Sequence, residues 1–143
     1  MQFRSFTALV LTFTALVSSA CAVTVSYDQT YDNKSGDLNT VACSNGPNGL
    51  LPKGFTTFGS LPHFPNIGGA AAVTAWDSPN CGTCWKLTYA DTGKSINVLA
   101  IDHADAGFNI ALEAMNTLTN NQAEFLGRID VTATQVAASQ CGL

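Results

Sequence analysis

Charge is scarce in this chain. Only 11% of its 143 residues are Asp, Glu, Lys or Arg, and the six basic residues are outnumbered by ten acidic ones, for a net charge of −4. No basic cluster exists to neutralise phosphates, so nucleic acid and anionic membrane surfaces are excluded as partners. Histidine is nearly absent: His63 and His103 are the only two, far apart in sequence, and no metal site is expected from them. Beyond the first 22 residues no apolar run approaches the ~20 residues of a membrane span. There is no internal repeat, linker or low-complexity tract, and the length suits one domain.

The N-terminal segment does carry an apolar run. Arg4 precedes Phe6-Thr-Ala-Leu-Val-Leu-Thr-Phe-Thr-Ala-Leu-Val17, and Ala20-Cys21-Ala22 is a small-x-small cleavage site. Residues 1–22 therefore read as a secretory signal, and 23–143 as the mature domain. Cutting after Ala22 removes Cys21 and leaves Cys43, Cys81, Cys84 and Cys141. An even count in a short exported chain suggests two disulfides, with three connectivities open. Cys81-Gly-Thr-Cys84 has the spacing of a redox motif, but it runs into Trp85-Lys-Leu-Thr-Tyr89, which alternates as a strand. Redox chemistry would need the first thiol at a helix N-terminus. A four-cysteine zinc site would need a second close pair, and Cys43 and Cys141 are isolated. Asn33-Lys34-Ser35 is an N-glycosylation sequon.

Strands are expected at Val23–Tyr27, Leu38–Cys43, Ala70–Trp76, Trp85–Tyr89, Ser95–Ile101 and Arg128–Val136, with Asp91-Thr-Gly93 as a hairpin turn. Between Ser44 and Gly69, Pro47, Pro52, Pro62 and Pro65 forbid long regular elements. Such a stretch tends to be functional or pinned by cross-links, and Cys43 offers one pin. Phe108, Ala111, Leu112, Met115 and Leu118 form one helical stripe, the only strong helix signal. Asn121 and Glu124 make a capping-box pattern for a short helical turn that Gly127 would end. One real helix among so many strands favours a small closed sheet over a layered α/β domain.

Three groups of residues are candidates for chemistry. Asp102 ends the Ser95–Ile101 strand, with His103 and Asp105 beside it; it is either a groove carboxylate or the cap of a turn or of the Phe108 helix. Tyr27-Asp28 and Tyr31-Asp32 repeat an aromatic beside a carboxylate, the pairing that grips a sugar by ring stacking and hydroxyl hydrogen bonds. Trp76 and Trp85 are expected in the core. A glycosidase would need two carboxyl groups, about 5–5.5 Å apart for retention or ~6.5–9.5 Å for inversion. Asp102 as acid with Asp28, Asp32 or Asp105 as base supplies the materials, but the small polar barrel offers little room for a deep cleft.

Residues 23–143 resemble the cerato-platanins, small secreted proteins of filamentous fungi. The resemblance rests on Val23-Thr-Val-Ser-Tyr-Asp-Gln-Thr-Tyr-Asp32, Phe64-Pro-Asn-Ile-Gly-Gly69, Cys81-Gly-Thr-Cys-Trp85, Ser95-Ile-Asn-Val-Leu-Ala-Ile-Asp102 and Gly107-Phe-Asn-Ile-Ala-Leu-Glu-Ala-Met115. It implies a mainly β fold: a six-stranded double-ψ β-barrel with one main helix, short helical turns and the disulfides Cys43–Cys81 and Cys84–Cys141. It further implies a non-catalytic, cofactor-free protein that binds chitin-type oligosaccharides and loosens cellulose as expansins do. Such a protein is a monomer that can self-assemble at air–water interfaces, and plants perceive it as an elicitor through a surface receptor. Some members are allergens. In related barrels the Asp at the position of Asp102 lies in the polysaccharide groove.

Overall fold

The computed structural model describes residues 21–143. The signal-peptide reading of 1–22 lies outside the described residues except for Cys21 and Ala22, whose backbone opens the first strand. Six strands form a closed mixed barrel: β1 (Cys21–Tyr27), β2 (Ile67–Ala70), β3 (Cys84–Tyr89), β4 (Lys94–His103), β5 (Phe108–Ile110) and β6 (Arg128–Val136). Their order around the barrel is β1-β5-β2-β4-β3-β6, and β6 returns antiparallel onto β1. The pairs β1/β5 and β2/β4 are parallel; the others are antiparallel. Closure leaves no sheet edge open. This is the double-ψ barrel with one main helix and two disulfides.

The core follows from alternation. Leu87 and Tyr89 on β3, and Ile129, Val131 and Ala133 on β6, point inward while their neighbours face out. The middle of β4 is buried throughout, from Val98 to Ile101, with helix α1 (Leu112–Thr119) and the C-terminal turn packed against the strand and the Cys43 loop bonded to Ile101. β2 reads Ile67-Gly-Gly-Ala70 and is wholly buried. Its glycines are demanded by crowding: a Cβ at Gly68 would lie 2.4 Å from the Asn109 carbonyl oxygen, and one at Gly69 2.6 Å from that of His103. The register shift against β4 falls between the same two residues.

Several expectations are corrected. Leu38–Thr40 is a 3₁₀ turn rather than a strand, because the Asp37 carboxylate accepts from the Asn39 amide and rolls the chain over. The strand expected at Ala70–Trp76 is instead Ile67–Ala70; the alanines that follow are apolar but not β-branched, and the chain turns there. The helical stripe holds from Ala111 onward. Phe108 and Ile110, however, are buried on either side of a half-buried Asn109, the period of a strand. Helix α2 (Ala123–Leu126) starts after Gln122 without a side-chain cap, and Gly127 does end it. The Ala123 amide is met by Asn116 Oδ1 rather than by Asn121. Trp76 is not core but 60% exposed, whereas Trp85 is half-buried with its ring edge on Phe108.

The long irregular stretch is pinned. Disulfides join Cys43 to Cys81 and Cys84 to Cys141. Leu50, at the start of one 3₁₀ turn, and Phe58 and Leu61, at the two ends of the next, bury themselves, so this stretch behaves as a layer of the core.

Candidate functional site

Asp102 is the next-to-last residue of β4 and is half-buried. Its Oδ1 accepts from the backbone N–H of Ala42 at 3.0 Å and of His103 at 2.9 Å. Its Oδ2 accepts from Tyr31 Oη at 2.9 Å. Asp102 caps no helix, so capping of the Phe108 segment does not describe it. It is a clamp that ties the end of β4 to the Tyr31 turn and to the loop before Cys43. A carboxylate has about four acceptor sites, so three are filled and one remains.

Tyr31 is the clamp's other jaw. It is only 5% exposed and packs its ring on Phe58 with centroids 6.0 Å apart. Burial, and then the charge and hydrogen bond of Asp102, push its phenol well above the ordinary tyrosine value. The hydroxyl therefore keeps its proton and acts as a fixed donor.

The two neighbouring aspartates hold structure. Asp28 starts the 3₁₀ turn Gln29–Asp32 by accepting from the Thr30 amide at 2.8 Å. Asp32 reaches about eighty positions along the chain: its Oδ2 accepts from Leu112 N at 2.8 Å and its Oδ1 from Glu113 N at 2.9 Å. Helix α1 follows Ala111, whose side chain has no capping oxygen, so Asp32 supplies the cap and the charge that favours a helix N-terminus. Tyr27 closes β1 and rests half-buried against the core.

On the outer face, His103 joins two loops. Its Nδ1 donates to the Val73 carbonyl at 2.7 Å and its Nε2 faces Asp105 Oδ1 at 3.1 Å. Both partners can only accept, and the doubly protonated ring satisfies both. The carbonyl bond, followed by the Asp105 bond, raises the His103 pKa. Asp105 is fully exposed. Both residues line an open cavity of about 440 Å³ with Ser26, Asn109 and Arg128. Ser26 Oγ donates to Asn109 Oδ1, and Arg128 Nη1 to Thr24 Oγ1. Asp102 does not line it. The seven candidates thus divide into a buried clamp (Tyr31, Asp102), two caps (Asp28, Asp32), a strand end (Tyr27) and a cavity rim (His103, Asp105). Among the described residues no three His, Cys, Asp or Glu side chains gather as metal ligands, and no helix is long and apolar enough to cross a membrane.

Sequence reasoning missed Ala42, Phe58, Asn109 and Arg128, which carry no chemical signature of their own. It also missed that Trp76 is exposed, although Asp77-Ser-Pro-Asn80 directly after it is turn chemistry that could have shown it.

Residues 23–143 match the family model described as Cerato-platanin. The chain is 48% identical over 136 residues to a heat-stable 19 kDa antigen of Coccidioides posadasii, covering 95% of this chain and 92% of that protein. It is 42% identical over 129 residues to cerato-platanin of Ceratocystis fimbriata f. sp. platani, covering 88% and 91%. An allergen of Aspergillus fumigatus is 51% identical over 122 residues, covering 85% and 78%. Among solved structures, cerato-platanin 3 of M. perniciosa superposes with a TM-score of 0.83 at 50% identity, covering 86% of this chain and all of that one. The solution structure of the fungal elicitor cerato-platanin gives 0.71 at 39%, covering 83% and 96%.

Proposed function

The chain belongs to the cerato-platanin family, and on that footing we propose that it is a secreted, non-catalytic protein of the fungal wall. It binds β-linked polysaccharides such as chitin or cellulose, loosens them, and is perceived by plants through a surface receptor. The observation that carries this reading is the Asp102 clamp: a half-buried carboxylate fixed by three donors, with one acceptor site left for a sugar hydroxyl. His103 and Asp105 offer further polar contacts at the cavity rim. A pre-set acceptor costs little to order on binding. The cavity at this rim is open and would bury little of each sugar, so Kd is expected at roughly 10 μM to 1 mM.

The same geometry argues against hydrolysis. A glycosidase needs two carboxyl groups facing one bond. No second carboxylate stands idle among the candidates: Asp28, Asp32 and Asp105 are each engaged elsewhere.

The test uses the mature chain, residues 23–143, on chitin and amorphous cellulose. Retention without reducing ends above a heat-killed control is expected. Reducing-sugar release overturns the non-enzymatic reading, and no retention overturns binding. In Asp102→Asn one oxygen still serves the two backbone amides, while the new amide group makes the Tyr31 hydroxyl turn to accept. The fold is kept, and oligosaccharide binding weakens by about 1.5–3 kcal/mol, the range for a hydrogen bond to a charged group.

A second reading, coating of apolar interfaces, is favoured by Phe125 and Leu126. They stand 86% and 38% exposed on α2. Adsorption to an air–water interface that drops in Phe125→Ser would support it.

A further inference from the structure

Trp76 is the largest exposed side chain near the clamp, and the protein fixes it in place. Its Nε1 donates to Asn45 Oδ1 at 2.7 Å. The next residue, Asp77, adopts the left-handed region at φ +56° and accepts from Asn48 N at 2.8 Å. The Asp77 carbonyl accepts from Asn48 Nδ2 at 3.0 Å. The Asp77 amide donates to the Ala42 carbonyl, whose own amide donates to Asp102. Gly46 leaves room for this contact, since a Cβ there would fall 2.6 Å from Asp77 Cγ. The disulfide Cys43–Cys81 ties the same two loops.

Left-handed backbone in a residue with a side chain is costly, and it persists only where the surroundings over-determine it. Here those surroundings hold an indole in water. Its one N–H is satisfied internally, so an incoming partner meets only the ring faces. A partner matched to such a surface has an apolar face and a polar edge. The side-chain amides of Asn45, on the indole nitrogen, and of Asn48, on the neighbouring Asp77 backbone, are available to meet that edge. A pyranose with equatorial hydroxyls has this shape: its C–H groups stack on the ring, and its hydroxyls reach the amides.

We propose that Trp76 is a preorganised stacking platform for a β-1,4-linked pyranose chain, continuing the contact made at Asp102. This inference rests on the wall-binding function proposed above and assigns it a second contact.

The mature chain and its Trp76→Ala and Trp76→Phe variants are titrated calorimetrically with soluble chitin and cello-oligomers, with a linear α-glucan oligomer as control. Trp76→Ala is expected to weaken β-1,4-oligomer binding about tenfold and Trp76→Phe less than about threefold, in keeping with the worth of an aromatic face. Melting temperatures stay close to the parent, because an exposed side chain is being changed. Ligand-induced change in tryptophan emission disappears in Trp76→Phe, where only Trp85 remains. Equal affinity in the parent and Trp76→Ala overturns the platform while leaving polysaccharide binding intact. Equally tight binding of the α-glucan also overturns it. Loss of adsorption to a hydrophobic surface in Trp76→Ala, with glycan affinity unchanged, would make the indole an interface anchor and overturn it as well. A parent that binds no β-1,4-oligomer overturns the platform and the proposed function together.

Discussion

Among the described residues, large aromatic rings are exposed in two places and are treated in opposite ways. Trp76 sits on a loop fastened by a disulfide, a left-handed aspartate and four hydrogen bonds, to Ala42, Asn45 and twice to Asn48. Phe125 sits with Leu126 on a four-residue helix that has no side-chain cap, and it offers no polar atom. Both rings cost free energy in water. The first is held where direction matters, as a partner with a polar edge requires. The second presents apolar area without direction, which is all that an interface needs. The same division runs through the carboxylates: Asp102 is clamped beside the loop of Trp76, whereas Asp32 is spent on starting α1.

The sharpest way to break this comparison is to cut the loop tether. Replacing Cys43 and Cys81 together by alanine should cost about 4 kcal/mol of stability, the loop-entropy value for a bridge spanning 38 positions. Replacing Cys84 and Cys141, which span 57, should cost a similar amount. Denaturant unfolding measures both. Only the first pair should also weaken glycan binding by the molecules that remain folded, because only that bridge fixes the Trp76 loop. Equal loss of binding in the two would show that the tether has no local role.

Next in size is Tyr31→Phe. It removes the hydroxyl from Asp102 while keeping the ring on Phe58. A loss of about 1.5–3 kcal/mol is expected, since the bond runs to a charged group. Because Asp102 would gain a free acceptor site, oligosaccharide binding should fall less than in Asp102→Asn. A fall as large as in Asp102→Asn would place Tyr31 in direct contact with sugar. On the helical side, Asp32→Ala should cost about 0.5–2 kcal/mol, the range for a lost N-cap. It should leave glycan affinity unchanged. Thermal melts with parallel titrations separate the two results, and weakened binding in Asp32→Ala would return Asp32 to the list of sugar contacts.

What could be read from the chain depended on range. Alternation within β3 and β6 is visible because period-two burial is local. The helical stripe was visible from Ala111 but extended too far back. Phe108 satisfies both a helical and a strand pattern, and only pairing with Val25 and Ala70 decides between them. Strand β2 was misplaced because Gly68 and Gly69 lack strand propensity and exist for the crowding between β4 and β5. Asp102, Tyr31 and Asp32 were picked as residues, yet their jobs were not legible. Tyr31 and Asp102 meet across 71 positions, and Asp102 and Asp32 also reach the distant backbone amides of Ala42, Leu112 and Glu113, which look like any others.

The smallest expected effect concerns His103, whose ring fastens the Val73 turn to the cavity rim. Its pKa is raised, first by the bond to the Val73 carbonyl and then by Asp105. A raised pKa means that the protonated ring is favoured in the folded state. Its stabilising contribution is complete below the unfolded value of about 6.5 and is lost as pH rises through the higher folded value. The neutral ring can keep its Nδ1 proton on the Val73 carbonyl, but it no longer pairs with Asp105. Asp105 is fully exposed, so solvent screens that pair and the stability change should be near the limit of detection. A proton NMR titration of the imidazole is the sensitive readout. His103 should titrate above about 6.5. Asp105→Asn should lower the midpoint only partly, because the Val73 carbonyl, the larger cause, remains. A midpoint in Asp105→Asn that falls fully to the ordinary value would show that the carbonyl bond does not hold the ring in solution.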